Sequence, residues 1–223
     1  MLLLVRIQQW EEKTAKSEPK FAQLLTNLHE QLHGEKVSFE LVSYRQHVYF
    51  YIHIPKKLRE LITGQVYAIY PDAVIEEQTK DYATAEAIKG GTLISSQLSR
   101  RRVDIYPIKR YDEFEADSLA GLFTVMSKAG EGQQLWAQEV ISPRRDNFIF
   151  NIRRTLKYFS NRIRRWFRLR DKVKARAQKD FRQRERDALS SKSEERQYRV
   201  NVRVAAFAPD SARAQGQLKA LEQ

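Results

Sequence analysis

The sequence predicts an α+β fold of two tandem ferredoxin-like βαββαβ units, the second incomplete and interrupted by a long basic helical insertion. One observation is the order of strand-like and helix-like segments over residues 1–80. That order is β-α-β-β-α-β, which is typical of two helices on one face of a four-stranded antiparallel sheet. The other is that the same boundary residues recur in both halves of the chain. They are Gly34-Glu35 and Gly130-Glu131 after the first helix of each half, and Pro55 and Pro209 before the second helix of each half.

Each element of the first unit, residues 1–80, follows from hydrophobic spacing. Alternating or unbroken apolar runs predict strands, apolar residues three and four apart predict helices, and proline or glycine marks their ends. A two-residue turn, Arg45-Gln46, joins the two middle strands into a hairpin. The predicted elements are a strand at 2–7, a helix from Pro19 to Gly34, strands at 37–44 and 47–54, a helix from Leu58 to Ile69 and a strand at 73–78.

We expect a linker at residues 81–102 and the second unit at residues 103–223. The hairpin of the first unit closes with a two-residue turn. At the same place in the second unit we expect an insertion at about residues 143–197, since a surface loop tolerates insertions. A final strand would follow Leu221, so we expect the chain to be a fragment of a longer protein. The predicted elements are strands at Val103–Ile108, Gln134–Ile141 and Val200–Ala208, and helices at Leu119–Met126 and from Asp210 onward.

Positive charge is concentrated in the insertion. The whole chain carries 40 basic and 28 acidic side chains, a net charge of +12, whereas residues 1–100 carry 12 of each. Residues 144–186 carry 17 basic and 4 acidic side chains, a net charge of +13, and we call this segment the basic arm. Apolar residues recur three and four apart from Ile149 to Trp166, which predicts a helix. A cationic helix on a neutral body attracts polyanions, either nucleic acid or an anionic membrane surface.

The basic arm is the best candidate for a nucleic-acid interface. Its cations would neutralise backbone phosphates and release counterions, and its interleaved aromatic rings would stack on unpaired bases. The alternatives are apposition to an anionic membrane and a solvated helix with no polyanion partner. The candidate DNA-binding residues are Arg144, Arg145, Arg153, Arg154, Lys157, Arg162, Arg164, Arg165, Arg168, Arg170, Lys172, Lys174 and Arg176.

The sequence contains no convincing catalytic set. No glycine is followed by lysine, which excludes a phosphate-binding P-loop in this chain, and no cysteine is present to act as a nucleophile or metal ligand. His29-Glu30-Gln31-Leu32-His33 matches the HExxH zinc motif, yet Gly34 would end the helix directly after it. The alternative is that both histidines flank a helix face packed through Leu28 and Leu32. We therefore expect no cofactor, with a zinc-dependent hydrolase as an alternative.

Two tyrosines offer a second way to contact nucleic acid. Tyr49 and Tyr51 alternate on the third predicted strand, where aromatic residues stack on bases in RNA-recognition modules. The alternative is that they cover a sheet face against a neighbouring domain. The longest apolar run near the start, Met1–Val5, is too short to cross a bilayer.

Several segments of the two predicted units carry a family resemblance. They are Ser38–Val42, His47–Leu58, Gly64–Ala73 and Ile75–Glu77 in the first unit, and Asp104–Lys109, Asp117–Leu122, Glu131–Gln138 and Val200–Val204 in the second. These segments resemble the N-terminal region of TraG-like conjugative DNA-transfer proteins, the coupling ATPases of type IV secretion. The resemblance covers most of residues 1–142 and 198–223 and is weakest across the basic arm. It implies a domain before a ring-forming ATPase motor, whose nucleotide-binding residues would lie beyond Gln223.

Together these observations predict a non-enzymatic, cytoplasmic module of a DNA-transfer ATPase. We expect it to bind the DNA backbone, to assemble the motor, or both. DNA and the downstream motor domain are the expected partners, with a second copy of the chain and an anionic membrane surface as further candidates. The membrane alternative would place the module at the inner face of the cell membrane.

Overall fold

The computed structural model describes residues 1–7, 18–84, 88–99, 119–144 and 196–222. The chain divides into two units. Almost all of the described residues belong to the first unit, which comprises Met1–Ser99, Tyr111–Pro143 and Tyr198–Gln223. Its described residues form four α-helices and one seven-stranded antiparallel sheet, so the predicted α+β class is confirmed.

Most predicted elements are present, with ends that differ by a few residues from the prediction. Arg45 and Gln46, in the turn of the first hairpin, both have positive φ angles (50° and 62°), which matches the twist of the flanking strands. The strands are β1 (Leu2–Ile7), β2 (Val37–Tyr44), β3 (His47–His53), β4 (Ala73–Gln78), β5 (Thr92–Leu98), β6 (Gln134–Pro143) and β7 (Tyr198–Ala208). The helices are α1 (Glu18–Gln31), α2 (Arg59–Ile69), α3 (Ala120–Ser127) and α4 (Ser211–Leu221), and a short 3₁₀ helix (Lys56–Leu58) precedes α2.

The strand order is β4-β1-β3-β2-β6-β7-β5. The two hairpins, β2–β3 and β6–β7, meet in the middle of the sheet, where β2 pairs with β6. This pairing runs from Val37 opposite Ile141 to Tyr44 opposite Gln134. The two halves of the chain therefore share one continuous sheet.

All four helices pack against the same face of the sheet. Leu24 and Leu28 of α1 and Ile62 of α2 share a core with Phe39 and Ile52. A second core contains Met126 of α3 and Leu218 of α4, together with residues of β6 and β7. Alternate residues of every strand face the other way, and we call that side the opposite face.

The connection from β4 to β5 carries the chain from one edge of the sheet to the other. Seven strands about 4.8 Å apart separate the edges by about 29 Å, a span that an extended chain of about nine residues covers. On the opposite face, Tyr82 and Ile88 of this connection pack against Val42, Trp136 and Ala205. The connection therefore crosses the opposite face and covers part of it.

The predicted linker at residues 81–102 has to be corrected. Thr92–Leu98 form β5, which pairs along its whole length with β7. Its serines and threonine weaken the apolar pattern, and an edge strand with one partner tolerates them. The predicted strand Val103–Ile108 and most of the insertion lie outside the described residues. None of the helices in the described part is long and apolar enough to span a membrane.

Candidate functional site

The basic arm is attached to the sheet at the end of the β6–β7 hairpin. Pro143 pairs with Tyr198, and the backbone N–H of Arg144 donates a hydrogen bond of 2.9 Å to the carbonyl oxygen of Gln197. Of the thirteen predicted DNA-binding residues, Arg144 is the one within the described part, and it is half-buried. The other twelve, from Arg145 to Arg176, lie outside the described residues, so their role stays a prediction.

The HExxH motif does not form a metal site within the described residues. α1 ends at Gln31, and His33 follows it in the left-handed conformation, with φ +48°. His29 packs against the core: its side chain is 11% exposed and its ring lies edge-on to that of Tyr198 at 5.1 Å. Because His33 lies beyond the helix, the two imidazoles do not share a helical face as the HExxH motif requires. No three metal-binding side chains converge in the part of the chain that the structure describes.

A polar and aromatic cluster lies at the centre of the opposite face. The Tyr82 hydroxyl donates to Glu40 Oε2 at 2.5 Å and accepts from Gln138 Nε2 at 2.7 Å. The Tyr82 ring stacks on Tyr51 at 5.5 Å between centroids and meets Trp136 edge-on at 4.9 Å. Burial and the nearby Glu40 carboxylate raise the pKa of Tyr82, so its hydroxyl remains a proton donor. The cluster joins the crossing connection to β2, β3 and β6.

The stacking of Tyr51 bears on the predicted base-binding role of the two tyrosines. Tyr51 is half-buried between Tyr82 and Tyr49, whose ring centroid lies 6.2 Å away. A ring that is already stacked on one side offers less surface to a base. Tyr51 therefore covers the sheet face against the connection between β4 and β5, which belongs to the same unit and not to a neighbouring domain.

A pocket of about 440 Å³ lies beside the cluster, at the end of the sheet where β2 begins. Strand register explains how its polar residues come together. Ser38 pairs with His53 of β3, and Glu40 pairs with Gln138, which in turn pairs with Arg203 of β7. Lys36, just before β2, also lines the pocket.

Burial divides these residues into a floor and a rim. Ser38 and Glu40 are each only 5% exposed and form the floor, whereas Lys36, His53 and Arg203 are exposed. The Oγ atom of Ser38 has no hydrogen-bond partner within the described residues. A buried hydroxyl without a partner is uncommon, and a water or a ligand placed over it would complete its hydrogen bonding.

The sequence does not mark these pocket residues as a group. Ser38 and Arg203 lie on strands that are far apart in the chain, and only long-range pairing brings them together. The local signal is the alternation of Ser38 and Glu40 with Val37 and Phe39. A solvent-exposed strand face gives the same alternation, so the burial of these residues is not visible in the pattern.

A family model described as a domain of unknown function, DUF8128, matches residues 4–223. The chain therefore belongs to this family. No curated protein and no solved structure matches the chain. The description of the family names no activity.

Proposed function

We propose that the body of the protein is a pair of ferredoxin-like units joined edge to edge. The first half combines the strand order β4-β1-β3-β2 with two helices, as in a complete unit. In the second half the order from the junction outward is β6-β7-β5, which corresponds to β2-β3-β1 of the first half. The mirrored order around the β2–β6 junction supports this proposal.

We propose further that this body is a non-catalytic scaffold that presents the basic arm to the DNA backbone in a DNA-transfer assembly. The segregation of charge along the chain carries the proposal. Residues 144–186 have a net charge of +13, whereas the other 180 residues carry 23 basic and 24 acidic side chains, a net charge of −1. The net charge of the body is therefore far too small to neutralise the arm, and the counterions of the arm remain available for exchange with phosphates.

The attachment of the arm fits this role. β6 and β7 pair up to Pro143 and Tyr198, and the hydrogen bond between Arg144 and Gln197 continues the ladder by one step. An insertion at a hairpin end leaves the pairing within the sheet intact. The resemblance to TraG-like proteins supplies the proposed partner, a downstream ATPase motor.

The experiment replaces Arg162, Arg164, Arg165, Arg168 and Arg170 by glutamine and measures oligonucleotide affinity by fluorescence anisotropy at several salt concentrations. If the arm makes about six phosphate contacts, affinity falls roughly 10³-fold between about 50 and about 200 mM salt. Each lost contact should lower the salt slope by about one unit. Single-stranded and double-stranded oligonucleotides are compared in parallel.

A matched control removes the same amount of charge from the body. It replaces five exposed lysines by glutamine, namely Lys20, Lys56, Lys89, Lys128 and Lys219. We expect the salt slope of this control to stay close to that of the wild type. Equal losses in both variants, or unchanged binding in the arm variant, would contradict the proposal.

Sedimentation with anionic vesicles tests the membrane alternative on the same two variants. Vesicle binding that depends on the arm, combined with oligonucleotide affinity that does not, would replace DNA by an anionic lipid surface as the partner. DNA binding that depends on the arm, with no vesicle binding, would support the proposal as stated.

A further inference from the structure

We propose that the pocket between Lys36, His53 and Arg203 binds an organic phosphate, in which a phosphate group lies next to hydroxyl or amino donors. The residues that line this pocket belong to the body of the protein. They come from four strands, β2, β3, β6 and β7, and from four residues next to strands, Met1, Lys36, Ile54 and Pro55.

The floor of the pocket supplies a hydrogen-bond donor with no other use. Ser38 Oγ lies in the pocket lining, is almost completely buried and has no partner in the described residues. Burying a hydroxyl without a partner is unfavourable, because it loses its hydrogen bond to water. A phosphate oxygen placed over Ser38 would accept this hydrogen bond.

The rim of the pocket supplies positive charge that is not used elsewhere. The side chains of Lys36, His53 and Arg203 take part in no hydrogen bond or ion pair with the described residues. The planar guanidinium of Arg203 can donate two parallel hydrogen bonds to a phosphate, and the Lys36 ammonium adds a point charge. The two positive charges of Lys36 and Arg203 outweigh the single negative charge of Glu40, so the pocket favours an anion.

Glu40 determines which kind of phosphate fits. Its carboxylate would repel a bare phosphate ion, although Tyr82 already donates to one of its oxygens. The remaining acceptor capacity of Glu40 suits a hydroxyl or amino group of the ligand. The volume of about 440 Å³ lies in the range of small-molecule pockets and exceeds what a phosphate ion alone requires. We therefore expect an organic phosphate to bind more tightly than inorganic phosphate.

A nucleotide has this chemistry, either free or as part of a DNA strand. The probes are deoxycytidine monophosphate, a short oligodeoxycytidine and inorganic phosphate, each titrated by calorimetry. The protein is the full chain carrying the five arginine-to-glutamine changes in the arm, which lower the net charge of the arm from +13 to +8 and so reduce its contribution to binding.

Ser38→Ala and Arg203→Gln test the site. Ser95→Ala on β5 and Arg199→Gln on β7 are matched controls, because both residues lie on the opposite face of the sheet, as the pocket does. Each test variant should bind the nucleotide about tenfold more weakly, the usual effect of losing one hydrogen bond to a charged group. The melting temperature of Ser38→Ala should stay the same or rise, because its hydroxyl has no partner to lose. The control variants should bind like the parent.

The results separate the two sources of phosphate. If the test variants bind the free nucleotide more weakly than the parent does, the pocket is a site for a small molecule. If they bind only the oligonucleotide more weakly, the pocket holds a phosphate of DNA. The proposal is overturned if neither probe binds, if test and control variants weaken equally, or if inorganic phosphate binds as tightly as the nucleotide. Because test and control variants share the same changes in the arm, the proposed function of the arm can fail or hold independently.

Discussion

The hydroxyl of Tyr82 provides a test of how the crossing connection is attached to the sheet. Tyr82→Phe removes one oxygen and keeps the ring contacts with Tyr51 and Trp136. Glu40 then loses a donor and Gln138 loses an acceptor. A hydrogen bond to a charged group contributes about 1.5–3 kcal/mol and a neutral one about 0.5–1.5 kcal/mol. We therefore expect the free energy of unfolding to fall by about 2–4 kcal/mol.

Urea denaturation followed by circular dichroism measures this loss. Tyr67→Phe is the control, because Tyr67 is exposed on α2 and should change stability by less than about 0.5 kcal/mol. In a Glu40→Gln background the acceptor is neutral, so Tyr82→Phe should cost about 1 kcal/mol less than in the wild type. A loss no larger than that of Tyr67→Phe would refute the attachment of the connection through this cluster.

Two further predictions concern pH and chain packing. The pKa of Tyr82 is raised in the folded state, whereas a tyrosine in the unfolded chain ionises at about pH 10. The contribution of Tyr82 to the free energy of unfolding is therefore complete below about pH 10. Above that pH it falls by up to about 1.4 kcal/mol per pH unit. Tyr82→Phe should flatten this alkaline decline in urea titrations, and an unchanged slope would contradict the assignment. A Cβ atom at Gly91 would lie 2.5 Å from the Ala208 carbonyl oxygen, so Gly91→Ala should destabilise by about 1–3 kcal/mol. A Cβ atom at Gly64, within α2, would meet nothing within 4 Å, so Gly64→Ala should stabilise the protein by about 0.5–1 kcal/mol. A higher melting temperature for Gly91→Ala than for Gly64→Ala would refute this reasoning.

Features that depend on neighbouring residues could be predicted from the sequence. The Arg45-Gln46 turn lies between two alternating runs, and its positive φ angles confirm the hairpin. The helix predicted from Asp210 onward is likewise present, and the Asp210 side chain accepts a hydrogen bond of 2.8 Å from the backbone N–H of Arg213. Both signals are complete within a few residues, so no tertiary contact is needed to recognise them.

Features that depend on distant pairing could not be predicted. β5 has a mixed sequence and is identified by its partner β7, where Thr92 pairs with Ala208. Glu40 occupies a position typical of a solvent-facing residue. Its burial results from the pairing of β2 with β6 and from Tyr82, which the connection brings across the sheet. Neither contact changes the local pattern of polar and apolar residues, so neither can be predicted from it.

The strand pairing of the β6–β7 hairpin leads us to expect that substitutions in the basic arm leave the body folded. β6 pairs with both β2 and β7, and β7 pairs with both β6 and β5, so neither strand depends on the arm for a partner. Side chains near the junction also fix the hairpin, since the Tyr198 hydroxyl donates to the Leu25 carbonyl oxygen of α1 at 2.5 Å. We therefore expect these contacts to remain when charge is removed from the arm. A fall in DNA affinity in the arm variant, together with an unchanged melting temperature, would thus report on phosphate contacts and not on unfolding.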